Sequence, residues 1–369
     1  MKLLQSAVLK DTPVVVLESR RMPFWGLAVL RNFTFRFFHI NWHLLLGSWR
    51  TLRIFPFELQ KAYVLACLDC IQPRVVLTLI DNNGVFHALS RAYSDATFIA
   101  IQNGTRTPWC MTEALQPPPH PASRISMPML FCFGIYEQHL YAKYGQDVDE
   151  FKVTGSLMAG YYAKFGRATH RSTKFDICLI SQWHGHFYEQ YHGRQKQFVH
   201  LVRQGIDRLC EYLAKFLERH DGIRLAVATR FQDSKEVDFY REYFGAKATY
   251  VDRDPDRFST FSTIEASNVT VVFSSTAGYE ALGLCNKVLF CDLSDGDWFT
   301  CPLEGIWALN KPTYEAFESR IEQLLALDRE QFVQASAEAR RSLMDIDPAK
   351  PAHEVIASHI RLLLPPVQK

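Results

Sequence analysis

Short apolar runs alternate along the chain with longer amphipathic stretches, in the rhythm of strands and helices. In the first half, apolar runs predict strands at 14–19, 75–81, 97–104, 129–134 and 151–156, with helix-like segments among them. Such continuous apolar runs are typical of parallel strands that are buried on both faces of a sheet. The pattern therefore predicts a mostly parallel α/β domain.

A polar, basic stretch at 165–174 interrupts this rhythm and is interpreted as a linker. Apolar runs after it predict a second set of strands, at 175–181, 223–230, 248–252, 269–275 and 287–292. The chain from 313 to 364 has the pattern of helices alone. We therefore predict an N-terminal domain over 1–168, a second α/β domain over 169–312 and C-terminal helices over 313–369.

The composition of the chain argues against several classes of function. The 369 residues include 41 Lys+Arg and 39 Asp+Glu, a net charge of only +2, which argues against nucleic acid as a partner. Nine scattered cysteines form no disulfide or zinc pattern, and no metal cluster or cofactor motif is evident. The N-terminus lacks the apolar stretch of a secretory signal, so we expect a reducing, cytoplasmic location.

The segment VTVVFSSTAGYEALGL combines an apolar strand, a run of hydroxyls and a helix start. The strand leads into Ser274, Ser275 and Thr276, and a small-residue turn with Gly278 opens the helix. Free N–H groups and hydroxyls at a helix N-terminus can hold an anion, while Glu280 is placed to accept hydrogen bonds from ribose hydroxyls. The alternative is a Ser/Thr N-cap with nothing bound.

This order of strand, Ser-Ser-Thr, Gly, Glu-Ala-Leu-Gly and a further strand resembles the donor half of GT-B glycosyltransferases of bacterial surface polysaccharides. It is most similar to the bacterial sialyltransferase and Kdo-transferase group and to surface-carbohydrate biosynthesis proteins. The resemblance covers roughly residues 75–310, with FCFGIYEQHLYAKYG similar to the end of their acceptor half. It implies two Rossmann-like domains facing a cleft, helices at the C-terminus, and a Ser-Ser pair that receives the donor phosphate.

The chain departs from that family pattern at two places. Gln102, Asn103 and Gly104 stand where an acidic-acidic-Gly turn is expected, so its usual carboxylate base is missing. Thr229 and Arg230 stand in place of a His-Pro pair. We expect the first three residues to bind the sugar or acceptor, although Asn-Gly also makes an ordinary turn.

Three residues are candidates for catalysis. Asp81 ends an apolar strand, from which it would act as a general base or a nucleophile, or simply as a turn or N-cap residue. Glu137 opens a helix, where it would contact the acceptor or merely complement the helix dipole. His184 would be a general acid or base, or a solvated loop histidine.

Three further residues are candidates for donor binding. Arg230 would pair with a phosphate or sugar carboxylate, or form a surface ion pair. Ser181 and Gln182 follow the first strand of the second half and would line the nucleotide pocket.

Residues 20–57 contain six arginines, ten Phe or Trp residues and no acidic residue. This composition suits a peripheral surface against anionic lipid, near a lipid-linked glycan. A helix pair packed on the domain core, with its arginines outward, remains the alternative.

The sequence thus predicts a cytoplasmic, metal-independent GT-B glycosyltransferase for a surface polysaccharide or lipopolysaccharide. The expected donor is a CMP-linked acidic sugar such as Kdo or a nonulosonate, with a nucleoside-diphosphate sugar left open. The expected acceptor is a glycan or lipid-linked glycan. Two alternatives stay open: a transferase of an alditol phosphate such as glycerol phosphate, and a sugar-nucleotide-binding protein without activity.

Overall fold

The computed structural model describes residues 13–17, 24–37, 48–107, 111, 125–167, 172–185 and 193–365. Their contacts divide the chain into two compact units. Unit 1 comprises Met1–Tyr161 and Asp345–Lys369, and unit 2 comprises Tyr162–Met344. The described strands of each unit form one six-stranded parallel sheet, which confirms the predicted α/β class.

Unit 1 has the sheet order β2-β1-β3-β4-β5-β6. Its strands are β1 Val14–Val16, β2 Phe35–Phe37, β3 Val75–Thr78, β4 Thr97–Ile101, β5 Ser126–Cys132 and β6 Asp147–Val153. Its helices are α1 Phe24–Leu30, α2 Leu59–Ile71, α3 Gly84–Ala92, α4 Tyr136–Lys143 and α5 Leu157–Tyr161, with a 3₁₀ helix at Ser48–Arg53.

Unit 2 has the sheet order β12-β11-β10-β7-β8-β9. Its strands are β7 Phe175–Ile180, β8 Leu225–Ala228, β9 Ala248–Val251, β10 Ser267–Val272, β11 Lys287–Asp292 and β12 Ala308–Asn310. Its helices are α6 Gly193–Arg219, α7 Ser234–Phe244, α8 Ser259–Glu265, α9 Thr276–Gly283, α10 Tyr314–Ala326, α11 Arg329–Ala335 and α12 Ala337–Leu343.

The last helix, α13 (Ala352–Leu363), belongs to unit 1. Its Ile356 and Ile360 are fully buried in one core layer together with Val75 and Leu77 of β3. Val76, between them, points into the other layer. Successive β3 side chains therefore enter opposite layers, which is why this strand is apolar without alternation.

Candidate functional site

The sheet of unit 2 reverses its strand order between β7 and β10. β10 pairs with β7 on one side and β11 on the other, while β8 and β9 extend the sheet beyond β7. Ligands of open parallel sheets bind at the carboxyl ends of strands next to such a reversal. The loops that begin at Ser181 and Phe273 lie at this place.

The loop after β10 forms the start of α9. Ser275 is the N-cap of this helix, and its Oγ accepts a hydrogen bond from Ala277 N at 3.3 Å. Residues Ser274–Ala277 are half-buried, so the turn remains partly open to solvent. This arrangement agrees with an N-cap and leaves a short helix N-terminus at the strand reversal.

Gln182 holds in place the turn formed by Ser274, Ser275 and Thr276, which we call the serine turn. Its Nε2 donates to Ser274 O at 2.6 Å, and Ser274 N donates back to Gln182 Oε1. One side-chain amide thus pairs with both backbone groups of a residue in the neighbouring loop. The two loops at the strand reversal are fixed to each other by this contact.

Gly278 and Glu280 lie on the packed side of α9. A Cβ at Gly278 would stand 2.6 Å from Val272 Cγ1 and 2.9 Å from Phe290 Cε1. Glycine is therefore needed for the helix to pack on the sheet. Glu280 is only 3% exposed. Contacts of these two residues and of Thr276 with a ligand stay predictions.

Glu236 organises the loop after β8. This carboxylate is fully buried and accepts hydrogen bonds from Ser181 Oγ, from Arg230 N at 2.6 Å and from Phe231 N at 2.7 Å. Burial raises its pKa, against the lowering effect of these hydrogen bonds. The sequence analysis missed Glu236, although it stands three residues after the N-cap Asp233, the spacing of a capping box.

His184 connects this loop to the loop after β7. Its Nδ1 lies 2.6 Å from Gln182 O, and Arg230 Nη1 lies 2.9 Å from His184 Nε2. Burial, and then the Arg230 charge, lower the pKa of His184 to about 4. The imidazole is therefore neutral near pH 7.

A second polar group lies at the carboxyl ends of β3, β4 and β5 in unit 1. We call it the unit 1 cluster; it consists of Asp81, Gln102, Asn103, Arg106, Glu137 and Tyr141. Asp81 is fully buried. Its carboxylate accepts hydrogen bonds from Asn103 N at 3.1 Å, Tyr141 Oη at 3.2 Å and two nitrogens of Arg106. Asp81 is thus held in an ion pair.

Gln102 and Glu137 form the other half of the cluster. Gln102 Nε2 donates to Glu137 Oε1 at 2.8 Å and to Gly104 O at 3.0 Å, while Gln102 Oε1 accepts from Phe133 N at 2.9 Å. Glu137 Oε2 is buried without a hydrogen-bond partner. Burial raises the pKa of Glu137 to about 7. Its ionisation therefore falls near neutral pH.

The structure brings together most of the predicted site residues, within each unit separately. It adds Arg106 and Tyr141 in unit 1 and Glu236 in unit 2, whose partners lie far away in sequence. Within the described ranges, no group of three or more His, Cys, Asp or Glu side chains could hold a metal ion. Nor is any helix of the described chain long and apolar enough to cross a membrane.

Known structures show the same fold at low sequence identity. MnaA of S. aureus, solved with UDP, has a TM-score of 0.56 at 12% identity, covering 94% of this chain and 95% of its own. A Listeria monocytogenes protein described as a "putative UDP-N-acetylglucosamine 2-epimerase" has a TM-score of 0.54 at 14% identity, covering 94% of this chain and 85% of its own. The wall teichoic acid polymerase TagF has a TM-score of 0.52 at 10% identity, covering 96% and 89%. The predicted GT-B-like fold is confirmed.

Sequence comparison gives the family. No curated protein matches the chain. A family model described as "putative O-antigen biosynthesis protein" matches residues 99–296, more than half of the chain. The match runs from β4 in unit 1 past β11 in unit 2, so it includes most of both polar groups described above. The chain belongs to this family of O-antigen biosynthesis proteins.

Proposed function

We propose that this protein is a glycosyltransferase that moves a sugar from a nucleotide-activated donor to a surface polysaccharide or lipopolysaccharide. The observation that carries the proposal is the serine turn at the strand reversal of unit 2, held by Gln182, which His184 connects to Arg230. Helix N–H groups, hydroxyls and a guanidinium are the chemistry that a nucleotide phosphate requires. O-antigen biosynthesis family membership supports a glycan acceptor.

The donor is proposed to be a CMP-linked acidic sugar, such as Kdo or a nonulosonate. This follows the sequence resemblance of the Ser-Ser turn, whereas MnaA, which shares the fold, was solved with UDP. A thermal-shift panel of CMP, CDP, UDP and GDP separates these donor classes. A ligand that binds the folded state raises the melting temperature of the protein. The nucleotide that raises it therefore identifies the nucleobase of the donor.

Ser274, Ser275 and Thr276 are proposed to receive the donor phosphate, with Ser181, Gln182, Gly278 and Glu280 building the pocket around them. The double variant Ser274→Ala, Ser275→Ala should weaken nucleotide binding by at least about tenfold, the loss of one or two hydrogen bonds to a charged group. Loss of the Ser275 cap also costs about 1 kcal/mol of stability. Thr313→Ala removes a comparable N-cap at α10 and is the matched control. Unchanged nucleotide affinity and turnover in the double variant would refute the site.

The unit 1 cluster is proposed to serve the acceptor. Glu137 is its acid–base group, because a pKa of about 7 and an oxygen without a partner suit proton transfer at neutral pH. The Asp81 carboxylate is paired with Arg106. This pairing supports a role for Asp81 in orienting the Arg106 side chain over a role as a general base. Gln102, Asn103 and Gly104 would position Glu137 and the acceptor. Glu137→Gln should reduce kcat by about 100-fold or more, and activity within twofold of the wild type would exclude Glu137.

Catalysis is proposed to need no metal ion, since N–H groups and Arg230 would stabilise the departing phosphate. Turnover should therefore persist in EDTA, and a loss restored by Mg²⁺ would contradict this.

Product analysis separates the alternative functions. A phosphodiester product would indicate an alditol-phosphate transferase, and epimerised sugar without acceptor would indicate an epimerase. Nucleotide binding without any release from a donor would indicate a binding protein.

We further propose a location at the inner face of the cytoplasmic membrane, through the basic aromatic stretch 20–57. Parts of the basic aromatic stretch, 20–23 and 38–47, lie outside the described residues. Its described end exposes three large apolar side chains beside two exposed arginines: Trp49, Ile54 and Phe57, with Arg50 and Arg53. Such a surface suits an anionic lipid interface.

Sedimentation with vesicles tests the membrane contact. The protein should bind vesicles that contain phosphatidylglycerol, and Trp49→Ser with Phe57→Ser should abolish that binding. Leu362→Ser, a change at an exposed leucine on α13, is the control. Equal sedimentation of the wild type and the double variant would refute the contact.

A further inference from the structure

Arg230 and His184 form a contact that the sequence did not predict. Arg230 follows β8 and His184 follows β7, and these strands are neighbours in the sheet of unit 2. The Arg230 guanidinium donates from Nη1 to His184 Nε2 at 2.9 Å, and the side chain is exposed to solvent. The contact places a cation beside the strand reversal.

The hydrogen bonds of His184 define its tautomer. A carbonyl oxygen only accepts, so the 2.6 Å contact with Gln182 O places the proton on Nδ1. Arginine only donates, so His184 Nε2 must offer its lone pair to Arg230. Both ring nitrogens are satisfied only in the neutral form. A second ring proton would point at the guanidinium, and the Glu236 carboxylate of α7 already accepts hydrogen bonds from two backbone N–H groups.

Gln182 is the shared support of this contact and of the serine turn. Its carbonyl accepts from His184, while its side-chain amide pairs with the backbone of Ser274. The chain of contacts therefore runs from Ser274 through Gln182 and His184 to Arg230. These contacts link the guanidinium to the serine turn through two side chains.

We propose that His184 is a positioning residue that holds Arg230 for the phosphate of the nucleotide donor. The inference rests on the proposed donor site and gives it a specific cation. A guanidinium matches the geometry of phosphate oxygens, and restricting its rotation beforehand reduces the entropy lost on binding. His184 itself transfers no proton, which agrees with a pKa lowered to about 4.

Calorimetric titration tests this with ligands that differ only in phosphate. The wild type is titrated with UDP and uridine, and with CMP and cytidine. Arg230→Ala should weaken nucleotide binding about tenfold, or about 1.4 kcal/mol, while nucleoside binding stays unchanged. His184→Ala should weaken nucleotide binding about threefold, and His184→Gln should restore it, because its amide oxygen can accept from Arg230.

A control and a pH series complete the test. Arg224→Ala removes an exposed arginine at the opposite end of β8, which pairs with Asp176, and should leave UDP binding unchanged. The ratio of wild-type to His184→Gln affinity should stay constant from about pH 5.5 to about pH 8, because His184 remains neutral.

The possible failures are distinct. If the wild type binds neither UDP nor CMP, the proposed function falls and this inference with it. If it binds them but Arg230→Ala has no effect, the inference alone is overturned. It is also overturned if His184→Gln is no better than His184→Ala, or if the affinity ratio changes near pH 6.5.

Discussion

Glu137 should make the stability of the protein depend on pH in a way that one substitution removes. The folded carboxyl has its pKa raised from 4.5 to about 7, primarily by burial. At about 1.4 kcal/mol per pKa unit, this corresponds to roughly 3 kcal/mol. The folded state holds the proton more tightly than the unfolded state, so this stability is full below pH 4.5. It falls as the pH rises and is lost above about pH 7.

Glu137→Gln cannot ionise, so its stability should lack this loss. The difference in free energy of unfolding between variant and wild type should therefore shift by roughly 3 kcal/mol in favour of the variant from about pH 4.5 to about pH 8. Other titrating groups, including the buried Glu236, cancel in this difference. Urea unfolding at several pH values measures it.

Two results would refute the reasoning about Glu137. The first is a difference that does not vary with pH. The second is a carbon-13 titration of the Glu137 carboxyl with a midpoint near that of an exposed glutamate. Glu150→Gln, on the exposed edge strand β6, is the matched control.

Three further changes have predictable effects. Gly278→Ala adds a carbon 2.6 Å from a valine carbon of β10. It should lower the free energy of unfolding, measured with urea, by about 1–3 kcal/mol. Gly84 has open space around it, so the control Gly84→Ala should change this free energy by less than about 1 kcal/mol. Gln182→Glu replaces an N–H donor by a carboxylate facing a carbonyl and should weaken UDP or CMP binding about tenfold, measured by calorimetry; equal affinity would contradict the role of this amide. Tyr141→Phe removes the 3.2 Å hydrogen bond to Asp81 and should cost about 1–3 kcal/mol, with a stability within experimental error of the wild type as the contrary result.

The sequence predicted the central strands well because each is a continuous apolar run. The prediction failed where the local pattern of apolar and polar residues does not match the burial of the strand. β6 begins at Asp147, four residues before the predicted start, because its first residues are polar and lie along an exposed sheet edge. β12 has only three residues, Ala308–Asn310, too few to show a period. Its pairing with β11 alone defines it.

The sequence predicted some residues of the candidate site and missed others, for a similar reason. Residues within a few positions of the end of an apolar strand, such as Asp81 and Ser274, can be identified from the apolar run itself. Arg106 stands in a loop, and its partner is 25 residues away. The Ser181–Glu236 contact spans 55 residues. Their importance depends on which strand ends become neighbours, and the strand order is not encoded in any local pattern.

The return of α13 to unit 1 has a consequence for synthesis on the ribosome. Residues Tyr162–Met344 of unit 2 are continuous, whereas unit 1 needs the last part of the chain. Ile356 and Ile360 fill a core layer against β3, so that layer stays open until α13 has been synthesised. Unit 2 can therefore fold while the nascent chain is still attached, and unit 1 matures last. A premature stop before residue 345 should expose the β3 face and send the product to proteolysis or aggregation.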